Sequence, residues 1–462
     1  MKIEQLYTGC LSQGAYYIES KGEVAIIDPL REVKPYLEKA KANHSKIKYI
    51  FETHFHADFV SGHLTLAKQS GGEIVFGPNA ETTFTATIAE DGQVFQLGDI
   101  SITALHTPGH TMESTTYLLK DEAGNNKAIF TGDTLFLGDV GRPDLAQKAG
   151  QMTQEDLAAL LYDSLRNKIM PLEDDIMVYP AHGAGSACGK NMMKETMDTL
   201  GNQKKVNYAL REDMSKAEFI KEVTDGLLPP PQYFPTNVRM NREGYEDIDE
   251  VLSRGTQALS PDAFEAMANE TDAIVLDVRH QSAFVKGHIP RSIFIGIDDD
   301  FAPWVGTLIG DVTQKILLVA AEGRIEETIT RLSRVGFDNT IGYLEGGFEA
   351  WKKAKKECDT IATISPQSLS ALELQNIGIY DVRKPTEYNT AHLVGAQNTP
   401  LDFINNHLDA FRKEEPSYLH CAAGYRSVIA SSILKSRGIH NIINIEEGFN
   451  VLKNTAGIPI ES

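Results

Sequence analysis

At 462 residues the chain exceeds what one ordinary core organises, and its length predicts about three domains. A formal net charge of −20 repels phosphate backbones and anionic lipid, which argues against a nucleic-acid partner or a membrane surface. No run approaches the about 20 apolar residues of a membrane span, and MKIEQLYTGC lacks a basic segment followed by an apolar one, so a cytoplasmic protein is expected. The four cysteines, Cys10, Cys188, Cys358 and Cys421, form no CxxC pair. Individual thiols are therefore expected, with neither a disulfide framework nor a thiolate zinc site.

In chain order, the alternating YYIES and the apolar VAIID, from Tyr16 to Asp28, predict a hairpin turned near Lys21-Gly22. Residues 32–42 read as an amphipathic helix. A strand ending in IKYIF precedes a helix from Ser61 to Gln69, stopped by Gly71-Gly72. Strand-like runs follow at 73–76, 100–105, 114–119 and 127–131, then a helix near 153–167. Such an order suggests sheet packed on sheet with helices outside. Past Gly183 the chain turns helical and charged to about Thr224, and GLLPPPQYFP, residues 226–235, marks a stiff connection because consecutive prolines continue neither helix nor central strand.

THFHADFVSGH, residues 53–63, is the chemically densest stretch. Alternate residues of an extended segment face one side, so His54, His56 and Asp58 enter one cleft; by itself the string also fits a polar strand end. His110 in HTPGHT, Asp133 in FTGDT and His182 in YPAHG each follow a strand-like run at a turn, and four such stretches point to a metal centre. Their order resembles the metallo-β-lactamase superfamily, which implies an αββα sandwich over residues 1–240.

Two-metal hydrolases of that superfamily, such as the glyoxalase II group, carry a histidine directly after the motif's aspartate. Here the position is Phe59, whose ring offers no lone pair, so one metal is expected. His54, His110 and Asp133 would give the two-imidazole, one-carboxylate set of non-haem Fe(II) oxygenases, although Zn²⁺ uses a similar one. HFHAD followed by a non-histidine, TPGHT, TGDTLF and GRPD resemble the persulfide dioxygenases. That resemblance implies one Fe(II) per chain on His54, His110 and Asp133, with His56, Asp58 and His182 orienting ligands or water around it. A low-molecular-weight persulfide, O₂ and sulfite are the implied small-molecule partners, in a homo-oligomer. Arg142 in GDVGRPD either holds an anionic group on the thiol carrier or pairs internally with an acid such as Asp144. Cys188 in HGAGSACGK either relays sulfur near the metal or is a small buried side chain.

After a linker at 241–258 the chain repeats itself. AIVLDVRHQSAFVKGHIPRSIFI from Ala273 aligns with IGIYDVRKPTEYNTAHLVGAQNTPL from Ile377, placing Asp277 on Asp381, Arg279 on Arg383 and His288 on His392. The repeats resemble tandem rhodanese domains, at 259–358 and 359–462, which implies α/β units with parallel sheets. The Asp-Val-Arg words read as structural ion pairs. In YLHCAAGYRSVIASSILKSRG, an apolar strand ends at Cys421, Gly424 permits a turn, and a helix follows to Arg437. This wraps N–H groups and a helix N-terminus around a thiolate. Cys421-x4-Arg426 is one residue shorter than the loop of cysteine phosphatases and matches the rhodanese loop. Cys421 and Arg426 are the expected catalytic pair, and Gly424 and Tyr425 the substrate-binding positions of that loop. Aligning GGF of YLEGGFEAW, residues 343–351, with EGF of NIEEGFNVL, residues 444–452, puts Ala320 opposite Cys421, so the first repeat is expected to be inert.

The expected activity is oxidation of a thiol persulfide to sulfite, joined to sulfur transfer through Cys421 that gives thiosulfate. A zinc-dependent thioester hydrolase and a non-catalytic sulfur-sensing scaffold are the alternatives. A superfamily nuclease is disfavoured by the acidic charge.

Overall fold

The computed structural model describes residues 1–146, 152–411 and 414–462. It divides into two compact units, Met1–Ile248 with Ser333–Gly336, and Asp249–Leu332 with Phe337–Ser462. No helix among the described residues is long and apolar enough to cross a membrane.

The first unit contains two six-stranded sheets. One is built in chain order from Lys2–Thr8, Gln13–Ser20, Glu23–Ile27, Lys46–Phe51, Glu73–Phe76 and Thr87–Ile88. The other runs, also in chain order, through Val94–Leu97, Ile100–His106, Thr115–Lys120, Asn126–Gly132, Met177–Pro180 and Asp198–Thr199. The Lys21-Gly22 turn forms as expected: both residues take positive φ, 50° and 80°, the twist that lets a two-residue turn join right-twisted strands. Tyr16, Phe51, Val75, Ile102, Tyr117 and Phe130 fill the space between the sheets. Helix Lys34–Ala42 covers the outside of the first sheet through Tyr36 and Ala40. Helix Gln154–Ser164 covers the second through Leu157, Ala158 and Leu161. Each large apolar side chain so buried contributes roughly 1.5–3 kcal/mol. This is the expected αββα sandwich.

Three features depart from the sequence reading. Lys2–Thr8 and Val94–Leu97 are strands that composition did not announce; the first pairs along its whole length with Gln13–Ser20. Pro235 does not extend a stiff connector but sits in the first turn of helix Phe234–Glu243, where its missing N–H costs nothing. The expected linker 241–258 is therefore largely helical, with a further helix at Ile248–Gly255.

The second unit contains the repeats. The first sheet orders its strands Ala258–Leu259, Thr340–Leu344, Ile316–Val319, Ile274–Asp277, Ile293–Phe294; the second orders Ala362–Ile364, Ile442–Ile445, Ser417–His420, Gly378–Asp381, Gln397–Asn398. Every pairing between these neighbours is parallel. Parallel strands share one C-terminal edge, and the loops leaving that edge carry the chemistry. Ala320 and Cys421 each follow the central strand of their sheet.

Candidate metal centre and sulfur site

In the first unit the loops after Lys46–Phe51, Ile100–His106 and Asn126–Gly132 bring His54, His110 and Asp133 together, each nearly or wholly buried. Their approach depends on two glycines. A Cβ on Gly132, whose φ is +52°, would sit 2.6 Å from Thr53, and one on Gly141 would sit 2.0 Å from the Asp133 carbonyl oxygen and 2.9 Å from His110 Nδ1. Any larger residue at either place would push the loops apart.

Hydrogen bonds set which ring nitrogen faces the centre. His110 Nδ1–H donates to the Arg142 carbonyl at 2.8 Å, which leaves the Nε2 lone pair free. Thr53 donates its hydroxyl to Asp28 Oδ2 at 2.8 Å and so accepts from His54 Nδ1, 3.0 Å away, freeing Nε2 there too. Asp133 Oδ2 is buried without a hydrogen-bond partner and lies 3.4 Å from His110 Nε2 and 3.8 Å from His54 Nε2. Donors about 2.1 Å from one ion stand roughly 3–3.5 Å apart, so the donor set fits a metal. Burial, helped by His56, holds the His54 imidazole well below the usual histidine range, the neutral state that ligation requires. Burial alone would raise the Asp133 carboxyl, but the His182 and His54 rings outweigh it and hold it well below the carboxylate range.

The surrounding residues separate into two further buried groups. His182 places Nδ1 2.8 Å from Asp133 Oδ1 and Nε2 2.8 Å from Asp58 Oδ2. Burial favours the neutral ring, but the carboxylates prevail and hold its pKa well above that of an ordinary histidine. Cys188 joins Asp58 and His182; burial, reinforced by the Asp58 and Asp133 charges, raises its thiol well above the usual value. His56 turns to the other group, with Nε2 3.1 Å from Asp28 Oδ1 and 3.6 Å from Glu52 Oε2. Phe59, fully buried, lies against the His56 ring with centroids 4.3 Å apart. Arg142 is not free for a substrate anion. Its guanidinium is buried and held by both Asp144 oxygens at 2.6 and 2.7 Å, the internal pairing, while its carbonyl orients His110.

Residues that the motifs did not name hold the metal loop. Asn241, in the expected linker, accepts from Ser61 N–H and donates to the His56 and Phe59 carbonyls, all at 2.8 Å. Glu113 accepts from Phe55 N–H at 3.0 Å. Asp28, which accepts from the Thr53 N–H and hydroxyl, ends the predicted VAIID strand, so an acid terminating an apolar run was the available signal.

In the last domain, Gly424 N–H donates to Cys421 Sγ at 3.1 Å. Gly424, with φ +98°, is the N-cap of helix Tyr425–Ser436. Arg426 is held by Glu387 through two hydrogen bonds of 2.6 and 2.9 Å. Tyr425 does not line the loop as a substrate contact; its hydroxyl donates to the Gly296 carbonyl of the first repeat at 3.0 Å. The Asp-Val-Arg words are buried ion pairs in both repeats, Arg279 on Asp277 and Arg383 on Asp381, each at 2.6 Å.

Residues 8–182 match the profile of the metallo-beta-lactamase superfamily, and residues 260–354 and 366–455 match that of the rhodanese-like domain. A cytoplasmic hydroxyacylglutathione hydrolase of Arabidopsis thaliana is 33% identical over 187 residues, 39% of this chain and 67% of the relative. The mitochondrial persulfide dioxygenase ETHE1 of Homo sapiens is 29% identical over 227 residues, 47% of this chain and 79% of the relative. Among solved structures, a metallo-beta-lactamase from Staphylococcus aureus subsp. aureus COL is 31% identical with a TM-score of 0.66, covering 74% of this chain and 98% of its own.

Proposed function

The chain belongs to the metallo-beta-lactamase superfamily and carries two rhodanese-like domains, and from that premise we propose that it is a persulfide dioxygenase coupled to a sulfurtransferase. The observation that carries this reading is the set of His54, His110 and Asp133 in a loop where Phe59 stands in the place of the second-metal histidine. The likeness to ETHE1 supports it. Thioester hydrolysis is the second reading, favoured by the likeness to the hydroxyacylglutathione hydrolase.

Ferrous iron, when bound, supplies the electron route to triplet O₂ that no side chain offers. Asp28 through Thr53, and the Arg142 carbonyl, keep both imidazoles in the ligating tautomer. His182 ties Asp133 to Asp58, so the carboxylate keeps one oxygen for the metal. Phe59 lies buried against the His56 ring and brings no ligand of its own. The overall change balances as RSSH + O₂ + H₂O → RSH + SO₃²⁻ + 2H⁺. Cys421, its sulfur facing the Gly424 N–H and a helix N-terminus, carries sulfane sulfur as a persulfide anion. Sulfite attacks the outer sulfur, the S–S bond breaks, and thiosulfate leaves as the Cys421 thiolate is restored.

Metal analysis of anaerobically purified protein, with O₂ uptake on a panel of thiol persulfides, tests this. One iron per chain and O₂ uptake that yields sulfite are expected. Two zinc ions, S-acylglutathione turnover and no O₂ uptake would establish the hydrolase instead.

A further inference from the structure

The repeat with alanine in the nucleophile position touches the repeat that carries Cys421 along the helix leaving the Cys421 loop. Helix Tyr425–Ser436 begins at the Gly424 turn that cradles the Cys421 sulfur, and the first repeat, with the segment that directly follows it, grips the helix at three levels. At its start, the Tyr425 hydroxyl donates to Gly296 O at 3.0 Å, and its ring meets the edge of Phe294 at a centroid distance of 5.9 Å. Midway, Ser432 Oγ accepts from Phe294 N–H at 2.9 Å. Near its end, Lys435 pairs at 3.1 Å with Asp359, whose backbone exchanges two hydrogen bonds of 2.9 Å with His288.

The sequence of the helix records this double coverage. Residues Ser427–Leu434 are all buried, so YRSVIASSILKS has no polar face. Its small residues, Ser427, Ala430, Ser431 and Ser432, allow close approach. The corresponding helix of the first repeat, Ile325–Arg334, places Glu326 and Glu327 in its first turn and pairs Glu327 with Arg331 on an open face. Gly296 completes the fit: a Cβ there would lie 3.1 Å from the Phe294 ring and 3.3 Å from the Tyr425 ring. Burial, with Asp299, Asp300 and Asp298 nearby, pushes the Tyr425 phenol up, so it stays a hydrogen-bond donor.

We infer that the inert first repeat acts as a clamp on the Cys421 loop, with Tyr425 as a positioning residue that locks the first turn of the helix against Gly296 and thereby aims the Gly424 N–H at the sulfur. Tyr425 is one residue from Gly424, so rotation of the first helical turn and misalignment of that N–H are the same motion. The clamp deepens the sulfur-transfer reading of Cys421 and is independent of the metal centre. It also explains why a domain with alanine in the nucleophile position stays attached.

The test uses the full chain with thiosulfate and cyanide, a pair that bypasses the metal centre. Cys421 thiolate attacks the outer sulfur of thiosulfate and sulfite leaves with the bonding pair; cyanide then removes the sulfane sulfur as thiocyanate and restores the thiolate. Tyr425→Phe deletes one hydroxyl and keeps the ring packing. Loss of that bond is expected to lower kcat about three- to tenfold with KM within about twofold, and to raise the pH midpoint of Cys421 alkylation by about half a unit. The alkylation is read by peptide mass spectrometry so that other thiols do not contribute. Gly296→Ala is expected to move both quantities further in the same direction. An alkylation midpoint and kcat at wild-type values in Tyr425→Phe would overturn the clamp, and so would a lower melting temperature with the midpoint unmoved, the signature of packing alone. Wild-type protein that transfers no sulfur from thiosulfate would instead refute the sulfurtransferase reading beneath it, which keeps the two failures distinct.

Discussion

The two rhodanese-like repeats share one strand order, one Asp–Arg pair and one histidine stacked on a ring, yet only one has a cysteine directly after its central strand. His288 lies on Phe284 and His392 on Tyr388, with centroids 4.0 and 3.8 Å apart and Nδ1 in each case 3.0 Å from the carbonyl of that same residue. Three of the positions at which they differ bear on the sulfur chemistry. In the second repeat Arg426, on the helix that leaves the Cys421 loop, is paired with Glu387; at the aligned places the first has Ala320, Ile325 and Ala283. Nucleophile, cation and the carboxylate that holds the cation are absent together. The fold shared by the two repeats therefore does not depend on the cysteine, arginine and glutamate that only the second one has.

Exchanging the nucleophile strains this comparison most. Cys421→Ser is expected to abolish sulfur transfer, by roughly three orders of magnitude or more, since a serine hydroxyl is not ionised at neutral pH and does not carry sulfane sulfur. The reverse change, Ala320→Cys, is expected to add no transfer, because Ile325 and Ala283 leave the new thiol without the Arg426–Glu387 pair. Thiocyanate formation from thiosulfate and cyanide reads both, and activity gained by Ala320→Cys in a Cys421→Ser background would break the argument.

The shared ion pairs sharpen it at a smaller scale. Asp381→Asn leaves Arg383, 5% exposed, buried beside the Phe449 ring. Removing one partner of such a pair costs about 3–5 kcal/mol. Asp277→Asn is expected to cost about 1 kcal/mol less, because Arg279 is 13% exposed and water partly compensates the loss. Denaturant unfolding of the two variants checks the order, and a larger loss at Asp277 would reverse it.

The legible parts of the molecule were those whose chemistry is tied to a residue type at the end of an apolar run. His54, His110, Asp133 and Cys421 could be named because each follows a strand at a turn; the order of those strands suggested sheet packed on sheet, and the family resemblance of the motifs implied the αββα sandwich. Positioning groups were not legible. Asn241 acts on backbone atoms of residues about 180 positions earlier, and nothing in an asparagine's local sequence encodes a distant carbonyl. Arg142 and Tyr425 were ambiguous for a related reason: a guanidinium or a phenol beside a catalytic loop fits a substrate contact or an internal brace equally well, and only the partners Asp144 and Gly296 decide.

The smallest expected effect concerns the Glu387–Arg426 pair, for which the first repeat has no counterpart. The hydrogen bonds from Arg426 hold the Glu387 carboxyl below its ordinary value, outweighing the rise that burial would cause. Because the folded-state pKa is depressed, the pair's contribution is fully present above the ordinary glutamate value, about 4.3, and is lost as pH falls through the lowered one. Glu387 is 35% exposed, so screening keeps the contribution under about 1 kcal/mol. The difference in melting temperature between wild type and Glu387→Gln is therefore expected to stay constant above about pH 5 and to shrink towards zero on further acidification. An equal difference at pH 7 and pH 3 would mean that the glutamate acts through shape and not through charge. In that event Arg426 would have to be aimed at the Cys421 loop by packing, and the presence of Ala283 and Ile325 in place of that glutamate and arginine in the first repeat would no longer mark the loss of one electrostatic unit.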